Sequence, residues 1–183
     1  MKLIILDRDG VINEDTNYIK SPEEWLPIPG SLEAIRDFNH AGFKVVVATN
    51  QSGIARGYFT ESDLQDIHAT MQSALAQLDA RIDGIFYCPH GPDENCSCRK
   101  PRPGLFERIA QTYAVSLQNV MAVGDSLRDL QAAKAAGATP ILVLTGKGQK
   151  TWQQHHSEID GVASYENLSS FSQHFLSKEQ PHV

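Results

Sequence analysis

The chain has 183 residues, of which 41% are hydrophobic and 21% are charged, and its formal net charge is -6. This composition predicts one globular domain over residues 1–183 that buries a core without cross-links. Net acidity without a basic stripe argues against nucleic-acid binding. Asp7 interrupts the apolar start too early for a signal peptide, and no apolar run approaches the about 20 residues of a membrane span. We therefore expect a soluble, cytoplasmic protein without nucleic-acid or membrane partners.

Short apolar runs rich in β-formers alternate with segments of helical periodicity. The predicted strands are LIIL at 3–6, KVVVAT at 44–49, GIFYC at 84–88, VMAVG at 120–124 and PILVLT at 140–145. The predicted helices are SLEAIRDFNHAG at 31–42, TESDLQDIHATMQSALAQL at 60–78 and SLRDLQAAKAAG at 126–137. This alternation predicts β-α-β units, and hence an α/β fold of three layers around a central parallel sheet.

The C-terminal third is less informative. The polar stretch GKGQKTWQQHHSEIDG at 146–161 predicts a loop with a solvated His155-His156 pair. A weakly amphipathic SSFSQHF near the C-terminus is the only sign of a last element.

Polar and acidic residues follow three of the predicted strands, within LDRDG, ATNQSG and VGDSLRD. Because the carboxyl ends of parallel strands meet at one edge of a sheet, Asp7, Asp9, Thr49 and Asp125 are expected to lie together. Asp7 and Asp9 are two apart on an extended chain and point the same way. Such carboxylates suit Mg²⁺, although D-x-D alone also fits a strand end followed by solvated acids.

All three cysteines lie in CPHGPDENCSCRK at 88–100. Cys88 and His90 flank a proline, Cys96 and Cys98 flank a serine, and five residues between the pairs allow the chain to turn back. Four nitrogen and sulfur ligands predict structural Zn²⁺ in a loop over 88–98. The alternatives are free thiols beside a solvated histidine or a Cys96–Cys98 disulfide, which would be strained.

Four motifs together resemble the haloacid dehalogenase superfamily of phosphotransferases: D-x-D-G, a strand-end Thr, a Lys, and G-D-x-x-x-D. The resemblance implies that Asp7 is the nucleophile and that Asp9 is the general acid and base. It also implies that Mg²⁺ is held by Asp7, Asp125 and the backbone carbonyl of Asp9, and that Thr49 and Lys100 stabilise the phosphoryl group. The short connections leave no room for a large cap domain. Ser126-x-x-Asp129 is itself a capping box, so a helix cap and a supporting role in the site both stay open for Asp129.

LDRDGVIN, NQSGIARG and CPHGPDENCSCRKP resemble one subgroup, the histidinol-phosphatase and heptose-bisphosphate-phosphatase group. Similarity to its heptose branch implies removal of the 7-phosphate of a heptose 1,7-bisphosphate, in the synthesis of activated heptose for the lipopolysaccharide core. Arg99 is then the expected ligand of the retained 1-phosphate. The positions that match substrate contacts are Asp15, Thr16, Asn17, Tyr18, Asn50, Gln51, Ser52 and Arg99.

Two alternatives remain open from the sequence. A histidinol-phosphate phosphatase would use the same mechanism, and the short spacer between the zinc-ligand pairs favours it. A non-catalytic, zinc-stabilised binding protein would keep the fold without the reaction. We expect a monomer, since no apolar face is left over once the helices are assigned to the core.

Overall fold

The computed structural model describes residues 1–179, so the last four residues of the predicted single domain, 180–183, lie outside the described residues. The strands of the described range are β1 (Lys2–Leu6), β2 (Phe43–Asn50), β3 (Gly84–Cys88), β4 (Met121–Gly124), β5 (Thr139–Val143) and β6 (Ala163–Tyr165). They form one sheet in the order β3-β2-β1-β4-β5-β6, and every neighbouring pair is parallel. The prediction of an α/β fold around a parallel sheet is confirmed.

Helices cover both faces of this sheet. In the described range they are α1 (Ser31–His40), α2 (Glu61–Ala76), α3 (Gly104–Tyr113), α4 (Leu127–Ala135), α5 (Gly148–Gln154) and α6 (Leu168–Glu179), besides a short 3-10 turn at Pro22–Glu24. Side chains alternate across each strand, so Ile4 and Leu6 pack with Phe38 of α1, whereas Leu3 and Ile5 pack with Ile109 of α3. The three-layer prediction is therefore confirmed, and no helix in residues 1–179 has the length and apolarity needed to cross a bilayer.

The start of α2 shows how local sequence sets a helix boundary. The hydroxyl of Thr60 accepts a hydrogen bond from Asp63 N at 3.1 Å, and the Asp63 carboxylate accepts one from Thr60 N at 2.7 Å. This is the predicted capping box, and it satisfies amide groups that the first turn leaves without partners. The buried face of α2 carries Ile67 and Met71, as its periodicity predicts.

The prediction of a loop over residues 146–161 was wrong for its first half, because α5 occupies Gly148–Gln154. This helix lacks an apolar stripe, and tertiary contacts hold it instead. The Thr151 hydroxyl donates to the Asp125 carbonyl at 2.8 Å, and Gly148 lies so close to Val143 O that a Cβ would come within 1.8 Å of it. Of the predicted solvated pair, His156 is exposed, whereas His155 is half-buried, and its Nδ1 lies 2.7 Å from Glu158 Oε1.

Helix α3 was not assigned from the sequence. It follows Pro103 and buries Leu105, Phe106 and Ile109 against the second face of the sheet. It also follows directly on the cysteine-rich segment, so it anchors the C-terminal end of that segment to the core.

The strand order places a crevice between β1 and β4. Chain connections run outward from these two neighbours, and ligands in open parallel sheets bind at such a reversal, beyond the carboxyl ends of the strands. Asp7 follows β1 and Asp125 follows β4. The fold therefore brings the predicted acidic residues to the position where a ligand would bind.

Candidate active site

Three carboxylates converge at the crevice between β1 and β4. One oxygen from each of Asp7, Asp125 and Asp129 lies within 4.8 Å of the others, and Asp125 and Asp129 are buried. Burial and the negative charge of Asp129 raise the pKa of Asp7 to about 7 and that of Asp125 to about 9. Oxygen ligands crowded in this way fit a small divalent cation such as Mg²⁺, which offsets their repulsion.

Two glycines let the chain close around Asp125. A Cβ on Gly10 would lie 2.0 Å from Asp125 Oδ2, and one on Gly146 would lie 2.3 Å from the same atom. The same oxygen accepts a hydrogen bond from Lys147 N at 2.8 Å. The backbone thus fixes one oxygen of Asp125 and leaves the second for a ligand, which supports the magnesium assignment on geometry as well as on charge.

Lys100 is buried between two of these acids. Its Nζ lies 3.1 Å from Asp7 Oδ1 and 2.7 Å from Asp129 Oδ1, and it donates to the Ala48 carbonyl at 2.7 Å. Burial disfavours the ammonium form, but the carboxylates of Asp129 and Asp7 outweigh burial and raise the pKa of Lys100 above its usual value. Lys100 is therefore a fixed positive charge directly beside the predicted nucleophile.

The backbone of Lys100 is held by Asn50. The Asn50 side chain accepts from Lys100 N at 3.0 Å and donates to Lys100 O at 3.1 Å. Both polar atoms of the Asn50 amide are thereby engaged, although Asn50 also lines the cavity described below. The geometry makes Asn50 a support for Lys100, a role that its place in the NQSG stretch did not indicate.

Asp129 combines the two roles that the sequence left open. Its Oδ2 accepts from Ser126 N at 3.0 Å and from the Ser126 hydroxyl at 2.8 Å, which caps α4. Its other oxygen pairs with Lys100. One side chain thus fixes the helix start and neutralises the lysine.

Asp9 lies beside Asp7 with its two oxygens in different environments. Oδ1 accepts from Arg8 Nε at 3.0 Å, Arg8 Nη2 at 2.9 Å and Asn13 Nδ2 at 3.0 Å. Oδ2 accepts from Gln51 Nε2 at 3.1 Å, and Gln51 also donates to the Thr49 hydroxyl at 2.9 Å. Burial opposes the charged form, but Arg8 and Asn13 outweigh it and lower the pKa of Asp9.

Asp7, Asp9, Lys100 and Asp129 open onto a cavity of about 250 Å³, whereas the predicted metal ligand Asp125 is buried behind them and does not line it. Of the substrate contacts predicted from the sequence, Thr16 does not line this cavity and is exposed. The predicted residues that the structure brings together there are Asp7, Asp9, Asp15, Asn17, Tyr18, Thr49, Asn50, Gln51, Ser52, Arg99 and Lys100. The lining also includes residues to which the sequence gave no place in the site: Arg56, Ser126, Arg128 and Lys147.

The outer part of the cavity is positively charged. Burial, followed by the nearby guanidinium groups of Arg128 and Arg56, lowers the pKa of Arg99. Lys147 pairs with the Asp15 carboxylate at 3.1 Å on another side of the opening. Three arginines gathered in a net acidic protein create a local site for an anion, separate from the carboxylate cluster.

The cysteine-rich loop forms a compact four-ligand cluster. Cys88 Sγ lies 3.6 Å from Cys96 Sγ and 3.1 Å from Cys98 Sγ, and His90 Nδ1 lies 3.3 Å from Cys98 Sγ. A tetrahedral zinc site with bonds of about 2.3 Å to sulfur has sulfur atoms about 3.8 Å apart. Burial raises the pKa of the Cys88 thiol, so a cation is needed to hold its thiolate. The donor set fits Zn²⁺ with no position left for a reacting ligand.

The three-layer fold, the carboxylates at the β1/β4 crevice and the buried lysine define a phosphatase of the haloacid dehalogenase class. In agreement, the HAD-hydrolase-like family model matches residues 97–169. A D-glycero-beta-D-manno-heptose-1,7-bisphosphate 7-phosphatase of Bordetella bronchiseptica is 53% identical over 96% of this chain and 98% of its own length. The enzyme of that name from Escherichia coli K12 is 43% identical over 79% of this chain and 80% of its own length.

Solved structures agree with this assignment. D,D-heptose 1,7-bisphosphate phosphatase from B. bronchiseptica, complexed with magnesium and phosphate, has a TM-score of 0.92 at 51% identity and covers 97% of this chain and 99% of its own. The Burkholderia thailandensis enzyme has a TM-score of 0.74 at 42% identity, with the same coverage. The chain belongs to the family of D-glycero-beta-D-manno-heptose-1,7-bisphosphate 7-phosphatases.

Proposed function

We propose that this protein removes the 7-phosphate of D-glycero-beta-D-manno-heptose 1,7-bisphosphate in a Mg²⁺-dependent reaction and leaves heptose 1-phosphate. The observation that carries this proposal is the continuity of one cavity from the Asp7–Lys100 pair to the three arginines. A substrate with phosphates at both ends needs one reacting site and one binding site. The names of the relatives that match nearly the whole chain supply the sugar and its anomer.

The reaction proceeds in two displacements. An oxygen of Asp7 attacks phosphorus, and the bond between phosphorus and the C7 oxygen breaks. Asp9, which the negative charge of the bound substrate lets hold a proton despite its low resting pKa, gives that proton to the leaving oxygen. Water then attacks the aspartyl-phosphate, Asp9 takes up the water's proton, and inorganic phosphate leaves with Asp7 restored. Thr49 binds an oxygen of the transferred group in both displacements, and the positive charge of Lys100 beside Asp7 stabilises the negative oxygens of that group.

Asp7, Asp125 and the backbone carbonyl of Asp9 would hold Mg²⁺. When bound, this cation supplies positive charge that lets a carboxylate approach a phosphate dianion. Asp129, the third acid of the cluster, keeps both oxygens on Ser126 and Lys100, so we assign it to support of these groups.

Arg99, together with Arg128 and Arg56, binds the phosphate that stays on C1. Guanidinium groups grip phosphate oxygens with paired donors, and their mutual repulsion in the empty site falls when a dianion enters. The contact of Arg99 with the His90 carbonyl at 3.4 Å links this subsite to the zinc loop. Zinc bound by Cys88, His90, Cys96 and Cys98 would thus hold the segment that presents both Arg99 and Lys100.

The sugar between the phosphates meets the remaining predicted contacts. Asp15, Asn17 and Tyr18 lie in the long connection between β1 and α1, and Gln51 and Ser52 come directly after β2; all five line the cavity. Tyr18 packs edge to face on Tyr58, with ring centroids 4.8 Å apart, so one wall of the opening is aromatic. We assign these residues to the heptose hydroxyl groups and its carbon face.

The subcellular and oligomeric assignments rest on separate observations. Three free cysteines gathered at a metal site suit a reducing compartment, so we assign the protein to the cytoplasm. The large exposed hydrophobic residues of the described range lie on four separate segments of the chain, which supports a monomer; they are Met1, Leu26, Tyr58 and Trp152. Light scattering after size-exclusion chromatography tests this assignment.

Steady-state phosphate release tests the proposed function. The wild-type protein should hydrolyse heptose 1,7-bisphosphate only with Mg²⁺, and Asp7→Asn should abolish turnover. Arg99→Ala should reduce kcat/KM for the bisphosphate about 10- to 100-fold, but change hydrolysis of heptose 7-phosphate little, because that substrate lacks the group that Arg99 binds. Equal losses on both substrates would contradict the subsite, and an active Asp7→Asn protein would contradict the mechanism. Histidinol phosphate, which the short zinc spacer favours, belongs in the same assay.

A further inference from the structure

Arg8 and His68 form a buried pair beneath the site that the mechanism above does not use. Arg8 lies between Asp7 and Asp9 in sequence, yet it is 0% exposed, while His68 on α2 is 8% exposed. Arg8 Nη1 lies 3.2 Å from His68 Nε2, and its Nε and Nη2 both contact Asp9 Oδ1. One guanidinium therefore joins a histidine 60 residues away to the general acid.

The chemistry of this contact fixes the state of the histidine. A guanidinium has only donors, so His68 Nε2 must accept, and the single ring proton then lies on Nδ1. Burial and, after it, the charge of Arg8 lower the pKa of His68 to about 3, which agrees with a neutral ring. Asp9 is the acid that faces this pair, and its negative charge acts to raise the pKa of His68, against burial and Arg8.

We propose that His68 is a positioning residue for Asp9: it accepts from Arg8 and so holds the guanidinium in the plane that clamps Asp9 Oδ1. This inference rests on the proposed function, since it concerns the proton transfers of that reaction. His68 fixes Arg8 from one side and Asp9 fixes it from the other. Without the histidine, the guanidinium keeps its charge but loses the contact that sets its orientation.

The clamp determines which oxygen of Asp9 reacts. Oδ1 accepts from three donors, whereas Oδ2 accepts only from Gln51 among the described residues. The geometry assigns the mobile proton to Oδ2. This proton passes to the C7 oxygen as its bond to phosphorus breaks, and Oδ2 later takes one from the attacking water. A rotated carboxylate would present the saturated oxygen instead, and proton transfer would slow.

Two substrates that differ in their need for a proton distinguish a role of His68 in positioning Asp9 from a general effect of the substitution on the fold. For His68→Leu, kcat/KM for heptose 1,7-bisphosphate should fall about 10- to 100-fold, because its alkoxide leaving group needs the proton. For p-nitrophenyl phosphate, whose leaving group needs no proton, kcat/KM should stay within about threefold. His68→Gln, which keeps an acceptor, should recover most of the loss. Met71→Val, one turn further along the same buried face, should leave the ratio of the two substrates unchanged.

Equal losses on both substrates, or a Gln variant as impaired as Leu, would overturn the proposal. Nitrogen-15 spectra of the wild-type protein test it without activity and without a variant that must fold. They should show neutral His68 with the proton on Nδ1 and none on Nε2 across pH 6 to 8. A proton on Nε2 would overturn the proposal. A wild-type protein inactive on the bisphosphate would refute the proposed function, while the spectra would still decide the histidine contact.

Discussion

The buried contacts of Lys100 make the strongest prediction for stability. Lys100→Met keeps most of the side-chain volume but leaves Asp7 and Asp129 facing each other without a cation. Loss of one partner from a buried ion pair costs about 3 to 5 kcal/mol of unfolding free energy, which for a chain of this size lowers Tm by about 10 °C. We expect this loss at pH 8 in Mg²⁺-free, zinc-containing buffer, together with the loss of phosphatase activity.

Urea unfolding and calorimetry measure the cost, and a double-mutant cycle assigns its cause. Asp129→Asn keeps an acceptor for Ser126, so it preserves the helix cap while it removes the second carboxylate. Added to Lys100→Met, it should recover a large part of the lost free energy, and lowering the pH toward 5 should do the same, because protonation removes the repulsion. A Lys100→Met protein within about 1 kcal/mol of wild type, or no recovery with Asp129→Asn, would refute the reasoning.

Three further results follow from the metal sites and the loops around them. Cys98→Ser should remove zinc, measured by elemental analysis, and should lower Tm and activity together; a folded, zinc-free and fully active protein would contradict this. Folded pKa values of about 7 for Asp7 and about 9 for Asp125 exceed the unfolded value of 3.8, so the folded state binds more protons than the unfolded chain. Stability of the Mg²⁺-free protein should therefore fall as pH rises from about 4 to 9, and Mg²⁺ should raise Tm more at pH 8 than at pH 6. Calorimetry that shows the Mg²⁺-free protein gaining stability over this pH range would contradict the raised pKa values. Gly10→Ala should weaken Mg²⁺ binding, measured by titration calorimetry, because its Cβ would overlap Asp125, whereas Gly42→Ala has similar backbone strain but open space and should not.

Much of the fold and the catalytic centre follows from local sequence. Alternation of short apolar runs with helical segments predicts a parallel sheet, and parallel strands present their carboxyl ends at one edge. Asp7, Thr49 and Asp125 each come directly after an apolar run, and Asp9 lies two residues beyond Asp7, so their convergence could be predicted from the sequence. The four zinc ligands could be predicted from the sequence as well, because they lie within one short loop and their spacing limits the geometry they can adopt.

Other parts depend on contacts between distant segments. The sequence indicates only that His68 belongs to an amphipathic helix, and its contact with Arg8 is formed by the fold. Arg56 and Arg128 lie within the NQSGIARG and VGDSLRD stretches, but neither was given a role, because their proximity to Arg99 depends on how two loops pack. Helix α5 was missed because Thr151 and the tight packing of Gly148 stabilise it, and neither produces an apolar period.

The most direct test of the account is a comparison of kcat/KM for phosphate release from the β and α anomers of heptose 1,7-bisphosphate and from histidinol phosphate, each with and without Mg²⁺. The account predicts a large Mg²⁺-dependent preference for the β anomer and a product that retains its 1-phosphate in phosphorus-31 spectra. A preference for histidinol phosphate, or loss of the 1-phosphate in place of the 7-phosphate, would contradict it.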